Sequence, residues 1–370
     1  MKVAFHIAHP AQFHLLKNIT AYFADNRKHK LIITYNEKDV LHHLVKNSNL
    51  SGFSKNIEAK RGSSRFYGLL LQFIRKEVNL YKVLKKEKPD LILGTSIVIA
   101  HVGKLLKIPA IIVNEDDFDA IPVSVKIGYP FCSHILAPQS CKTGKWQDKV
   151  TSYDGYHELA YLSPKYFKPD DNLIANLKDR GKGAGGYYIL RFAKLTAHHD
   201  TGKTGITAGI AQKIIRRLTS HGRVFITSER RLEPELEQYR IPLNPLDMHH
   251  ALYYAEMYIG DSQTMAAEAA VLGTPSLRFN DFVGKLGYLE ELEHRYGLTY
   301  GIKTSEPEKL YEKIEELLNM PDLKQEWQKR RQKMLEEKID VTAFMVWFIE
   351  NYPASVEIMK KNPGYQYRLK

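Results

Sequence analysis

At 370 residues the chain has the length of two ordinary domains, each large enough for a sizeable core. Hydrophobic residues at 44% and charged residues at 26% exclude a disordered or fibrous protein. Net charge is +12, and residues 1–165 hold 24 Lys and Arg against 14 Asp and Glu, whereas the remainder holds 30 against 28. The first half therefore attracts something anionic: nucleic acid, a membrane surface or a phosphorylated substrate. Cys132 and Cys141, nine apart, fit neither a zinc pattern nor a disulfide framework, and a reducing cytoplasm is expected. "MKVAFHIAHP" is a strand carrying His6 and His9, not a secretory leader. The most apolar stretch, residues 91–113, is broken by His101, Lys104 and Lys107, so no membrane span is expected.

"KVAFHI" (2–7) predicts a strand and "FHLLKNITAYF" a helix, with Phe13, Leu16, Ile19 and Phe23 on one face. "KLIITY" is a second strand. "KPDLILG" and "IPAIIVN" are short apolar runs a helix-length apart, which is a βαβ unit with both strands buried. "SHILAP" and "KVTSYDG" close the first half. The pattern then restarts. "GGYYILRF", "RVFITS", "MYIG" and "TPSLRF" are strands, separated by helices in "GITAGIAQKIIRRL", "PLDMHHALYYA" and "TMAAEAAVL". Such alternation predicts an α/β protein with two doubly wound, Rossmann-like parallel sheets, facing one another with ligand bound where strand C-termini meet. The expected boundaries are 1–165 for the first Rossmann-like domain, 166–185 for a linker rich in proline, glycine and charge, and 186–340 for the second. A helical segment, 341–370, is expected to return to the first domain.

Residues 260–281, "GDSQTMAAEAAVLGTPSLRFND", run from strand through polar turn to helix. Asp261 or Ser262 can cap that helix, leaving first-turn N–H groups as an anion site. Gln263 and Thr264 lie in that first turn, and Glu268 sits one turn deeper than Thr264. A hydroxyl beside phosphates and a carboxylate below them suit a nucleoside diphosphate with its ribose diol on the acid. An ordinary capped helix with a solvated glutamate fits the same residues. "AHHDTGKT" (197–204) approaches the phosphate-loop pattern, but an intervening "AKLT" and two bulky histidines argue against a true one. In a looser role Arg191, His199 and Lys203 could reach a diphosphate.

His9 and His14 lie between the first strand and first helix, where a histidine could take an acceptor's proton or simply cap and pack. "NEDDFDAIP" gathers Glu115, Asp116, Asp117 and Asp119 after a buried strand, either as a base or metal site or as a solvated loop. Glu158, where the chain leaves the first domain, is expected to face the cleft, as are Tyr156 and His157. Residues 64–88 mix aromatics with seven basic residues at helical spacing. They suit an anionic membrane or a lipid-linked acceptor, and equally a core-facing helix with a basic outer side.

"DSQTMAAEAAVLGTP" resembles the nucleotide-sugar turn of non-hydrolysing UDP-N-acetylglucosamine 2-epimerases and related GT-B type glycosyltransferases, where Asp-Ser-Gly-Gly, a glutamate and Leu-Gly-x-Pro hold UDP. Asp261, Ser262, Glu268, Leu272, Gly273 and Pro275 match. Together with "HPAQFHLLKN", "NEDDFDAIP", "YDGYHELAYL" and "HHDTG", the chain up to about residue 345 resembles a bacterial and archaeal family known as domain of unknown function 354. The resemblance implies the GT-B architecture, with the final helix packing back on the first domain, and proximity to surface-polysaccharide synthesis. Departures matter: Gln263 and Thr264 replace the Gly-Gly pair, His9-Pro10-Ala11 stands for Arg-Pro-Glu, and Gly94-Thr95-Ser96 lacks the carboxylate of Gly-Asp-Thr. Epimerase chemistry would lack parts, whereas sugar transfer needs a positioned donor, a stabilised leaving diphosphate and one base.

The expected function is transfer of a sugar from a UDP-sugar to a glycan or lipid-linked acceptor. Arg191, His199, His249, Asp261, Ser262, Gln263, Thr264 and Glu268 bind the donor, and His14, Asp116 or Glu158 serves as base. No cofactor beyond the nucleotide sugar, and no metal, is expected. The location is cytoplasmic, with peripheral contact at the inner face of an anionic membrane. A UDP-sugar 2-epimerase or hydrolase of the same fold is the alternative. A nucleic-acid-binding protein is the remote one, since no helix-turn-helix, RNA-sheet aromatic motif or zinc knuckle occurs.

Overall fold

Apolar runs of four to six residues without alternation become strands buried on both faces, and this chain builds two such sheets. The computed structural model describes residues 1–36, 40–58, 66–178, 186–193 and 205–370. They divide into two units, Met1–Tyr161 with Ile339–Lys370, and Leu162–Lys338.

The first unit holds β1 (Lys2–Ile7), β2 (Lys30–Tyr35), β3 (Ser54–Asn56), β4 (Leu91–Gly94), β5 (Ala110–Val113), β6 (His134–Pro138) and β7 (Val150–Tyr153). All pairings are parallel, in the order β3-β2-β1-β4-β5-β6-β7. Val3 lies opposite both Leu31 and Leu91, and Val3, Phe5 and Leu91–Leu93 are fully buried. Strand order reverses between β1 and β4, which opens a crevice at their C-terminal ends. The helix Pro10–Asp25 leaves β1 there, its N-terminus capped by His9, whose side chain accepts from the Ala11 N–H. The helices Val341–Glu350 and Ala354–Lys361 also belong to this unit. Thr342 donates to the Ala160 carbonyl at 2.8 Å, and Phe348 stacks on His134 with ring centres 5.7 Å apart.

The second unit holds β8 (Tyr187–Phe192), β9 (Arg223–Ser228), β10 (Met257–Gly260), β11 (Ser276–Phe279) and β12 (Thr299–Ile302), again all parallel. Their order is β12-β11-β10-β8-β9, so the switch point lies between β8 and β10. The helix Gln263–Leu272 follows β10, and Ala266, Ala267, Ala269 and Ala270 are all fully buried. These small side chains let the helix lie against the sheet closely enough for Ser276 of β11 to donate to the Ala266 carbonyl at 2.9 Å. Gly273 ends the helix at φ +77°, a left-handed conformation that glycine adopts without strain.

Residues 162–178 pack within this second unit: Ile174 and Leu177 are buried, and Arg223 donates to the Leu177 carbonyl at 2.7 Å. β3, β12 and the helix Gly287–His294 were not expected from the sequence. No described helix is long and apolar enough to cross a membrane.

Candidate functional site

At the switch point of the second unit, Gly260 of β10 pairs with Arg191 of β8. The next residue, Asp261, turns back over the end of β8. Its Oδ1 accepts from the Ala193 N–H at 2.6 Å and its Oδ2 from the Ile206 N–H at 3.2 Å. One buried carboxylate thus ties the two ends of the connection from 193 to 206. Burial pushes its pKa up to about 6, against the opposing effect of those two donors. Gly205 is required beside it, because a Cβ there would meet Asp261 Oδ2 at 2.3 Å. Of the two expected caps, the structure selects Ser262, whose Oγ accepts from the Met265 N–H at 3.4 Å. Ser262, Gln263, Thr264 and Met265 are half-buried, so the first turn of this helix is reachable while the rest is enclosed. Its leading N–H groups have no partner within the helix, which makes this end attractive to an anion.

One turn deeper, Glu268 is buried rather than solvated, and its Oε1 lies 3.0 Å from His249 Nε2. His249 comes from the helix Met248–Tyr254 and packs edge-on against Phe167. His250 packs on the same Phe167 ring, 4.8 Å between ring centres, and accepts from the Asp170 N–H at 2.9 Å. Gln263 donates to Asn280 Oδ1 at 2.7 Å, joining the helix start to the end of β11. Arg191 donates to Thr227 Oγ1 at 2.9 Å and pairs with Glu229. A diphosphate reaching Arg191 would therefore have to compete with the Glu229 carboxylate.

The first unit gathers a second set of groups around the ends of β5 and β7. Glu115 Oε1 accepts from the His157 backbone N–H at 2.6 Å, and Oε2 lies 3.3 Å from His157 Nδ1. That distance would suit an ion pair, but burial opposes charge on both. It raises the Glu115 carboxyl well above its usual range, with the nearby Glu158 charge adding to the rise, and it lowers His157 to about 3. Both shifts disfavour a charged pair. Glu158 and Tyr156 are both buried. Asp117 accepts from the Lys142 N–H at 2.8 Å and so fixes the turn, while Asp116 is half-buried. His14 stands on the helix Pro10–Asp25 with its ring 5.5 Å from that of Tyr161, and Asn18 one turn on donates to the Ala160 carbonyl at 2.8 Å. His14 thus lies against the turn that follows Glu158.

The structure brings Arg191, Asp261, Ser262, Gln263 and Thr264 to one corner of the second unit, and joins His249 to Glu268. Within the first unit it brings Glu158 within electrostatic reach of Glu115. His199, with Lys203, lies outside the described residues. Sequence reasoning missed Asn280, Glu229 and Phe167, which carry no motif. It also had no means of choosing Glu115 from its acidic neighbours, since only the fold brings it to His157.

Similarity to known proteins agrees with this fold. The profile of the family described as "Protein of unknown function (DUF354)" matches residues 1–352. An uncharacterised protein of Methanocaldococcus jannaschii is 24% identical over 216 residues, which is 56% of this chain and 62% of that protein. The match therefore spans less than two thirds of that relative's length. The structure of UDP-GlcNAc 2-epimerase from Neisseria meningitidis bound to UDP-GlcNAc is 14% identical with a TM-score of 0.65, covering 98% of this chain and 100% of that one. The calicheamicin glycosyltransferase is 14% identical with a TM-score of 0.56, covering 95% and 98%. At such identities the likeness shows the fold: two parallel-sheet α/β domains of the GT-B type.

Proposed function

The chain belongs to the DUF354 family, and from that premise we propose that it is a glycosyltransferase that moves a sugar from a UDP-sugar to a glycan or lipid-linked acceptor in surface-polysaccharide synthesis. The observation that carries this reading is the corner where Ser262 caps a reachable helix N-terminus directly above the buried Glu268–His249 pair. The first-turn N–H groups suit the diphosphate, which is also the leaving group, and stabilising its charge is the largest service a transferase renders. Thr264 adds a hydroxyl at that level. Glu268, held by His249, accepts the two ribose hydroxyls. Asp261 binds no ligand in this scheme and instead holds the backbone N–H groups of Ala193 and Ile206. In the first unit, His14, Asp116 or Glu158 takes the proton from the acceptor hydroxyl as it attacks the anomeric carbon. That the fold is shared with an epimerase bound to UDP-GlcNAc supports a nucleotide sugar as the ligand.

A second reading, 2-epimerisation, is favoured by one observation. Glu158 is buried, and its charge adds to the raised pKa of the half-buried Glu115; two carboxyls so coupled separate into an acid and a base. The two readings separate in heavy water, where an epimerase incorporates deuterium at C2 of UDP-N-acetylglucosamine without any acceptor and a transferase does not. The shared premise is tested by melting the protein with UDP, GDP, CMP, ADP and their sugars, because a ligand of the native state raises the melting point. UDP and UDP-sugars should raise it most. A melting point unmoved by every nucleotide would contradict both readings.

A further inference from the structure

The helix Phe66–Glu87 turns one line of side chains to solvent. Leu71, Ile74 and Val78 are 53%, 44% and 44% exposed. At 3.6 residues per turn they share that face with Arg75, Lys82 and Lys85, which are exposed as well. The inner face carries Leu80 and Leu84, both fully buried, so the outer line is not needed for the core. Read along the helix, the line is aliphatic first and basic afterwards.

The neighbouring surface continues the pattern. His101, on the helix Val98–Leu106, bonds to Glu77 of the helix Phe66–Glu87 and to the Ile127 carbonyl. Its ring lies 6.0 Å from that of Phe73 and 5.0 Å from that of Phe131. Residues 122–131 are thereby fastened beside the helix, and there Val123 is 61% and Phe131 45% exposed, with Lys126 exposed between them. The acids of the helix are spent inward: Glu77 on His101, and Glu87 on Lys2 and Lys55. Among the described residues, Arg75, Lys82 and Lys86 have no acidic partner.

We propose that this face of the first unit docks on an anionic lipid bilayer. Leu71, Ile74 and Val78 enter the headgroup boundary, and Lys82, Lys85 and Lys86 meet the lipid phosphates. A second copy of the chain is disfavoured, because like faces would oppose like charges. A nucleic acid would take up the lysines but leave the aliphatic side chains in water. The inference does not depend on the nucleotide site, which lies in the other unit.

The test is co-sedimentation of the full chain with vesicles of phosphatidylcholine plus phosphatidylglycerol, against phosphatidylcholine alone. Binding should require the anionic lipid and fall as salt rises toward about 1 M, where exposed charges are screened. Joint replacement Lys82→Gln, Lys85→Gln and Lys86→Gln should weaken partitioning about a hundredfold, at roughly fivefold per lysine. Joint replacement of Leu71, Ile74 and Val78 by serine should weaken it while leaving the melting curve near that of wild type, because these side chains are exposed. Equal binding to neutral vesicles, binding to neither, or wild-type partitioning by both variants would overturn the proposal. So would a dimer that the serine variant dissolves, or RNA binding through the same lysines without vesicle binding.

Discussion

His249 Nε2 stands 3.0 Å from Glu268 Oε1, and the two buried side chains join the helix Met248–Tyr254 to the helix Gln263–Leu272. A carboxylate held in this way keeps a single orientation, which is what recognition of a vicinal diol requires. Replacing His249 with alanine removes that partner from a buried acid. Unit stability should fall by about 1–3 kcal/mol in urea unfolding, the usual cost of a buried polar group losing its bond. UDP affinity should fall with it, and an unchanged affinity would detach His249 from the donor site.

Asp261 is expected to matter through the backbone. In Asp261→Asn one amide oxygen can still accept from Ala193 or Ile206, but the NH2 group faces a donor. The variant should lose about 1–3 kcal/mol of stability. Gly205→Ala should produce a similar loss, because its Cβ would collide with the same carboxylate. Wild-type urea midpoints in both would show that the two ends of the 193–206 connection are held by something else.

The base in the first unit is separable by single replacements. Among His14→Ala, Asp116→Asn and Glu158→Gln, one should cut turnover by roughly two to four powers of ten with donor affinity nearly intact. Steady-state rates at saturating donor, alongside calorimetry with UDP, read both quantities. Near-normal rates in all three would exclude every candidate named for that role.

Acid stability should carry the mark of buried histidines. Burial lowers His6 and His134 to about 4 and His157 to about 3, against about 6.5 in an unfolded chain. The folded values are depressed, so the unfolded state binds more protons in this window. The contribution is whole above pH 6.5 and is lost as pH falls toward 4. Asp261 and Glu115, both raised, act in the opposite sense, so a variant comparison isolates the effect. His134→Gln preserves a hydrogen bond to Thr151 and removes the titrating group. Its stability should lose about 3 kcal/mol less than wild type between pH 6.5 and 4. Equal slopes would mean that His134 is not held neutral.

Much of the architecture was legible because uninterrupted apolar runs such as "LILG" and "AIIV" admit few structures other than buried parallel strands. β3 was not, since Ser54, Lys55 and Asn56 carry no apolar signal and pair only because β2 offers an edge. The donor corner was legible in part. Ser262 and Glu268 stood out by spacing, whereas the His249 contact joins residues 19 apart in sequence, and only the fold brings them together. Likewise four adjacent acids look alike as letters. The fold sets Glu115 against the His157 backbone N–H, and it buries Asp117 on the Lys142 N–H.

Glu268 is the residue on which the nucleotide reading turns, and calorimetric titration with UDP and 2′-deoxy-UDP tests it most directly. Glu268→Gln keeps the shape and can still accept from His249, but it loses the charge and one acceptor. Wild type should bind UDP at least tenfold more tightly than the variant, about 1.4 kcal/mol, and should discriminate against the deoxy nucleotide far more strongly. If Glu268→Gln binds UDP as tightly as wild type, and both proteins treat the two nucleotides alike, the acid is a structural partner of His249 and the donor ribose is held elsewhere.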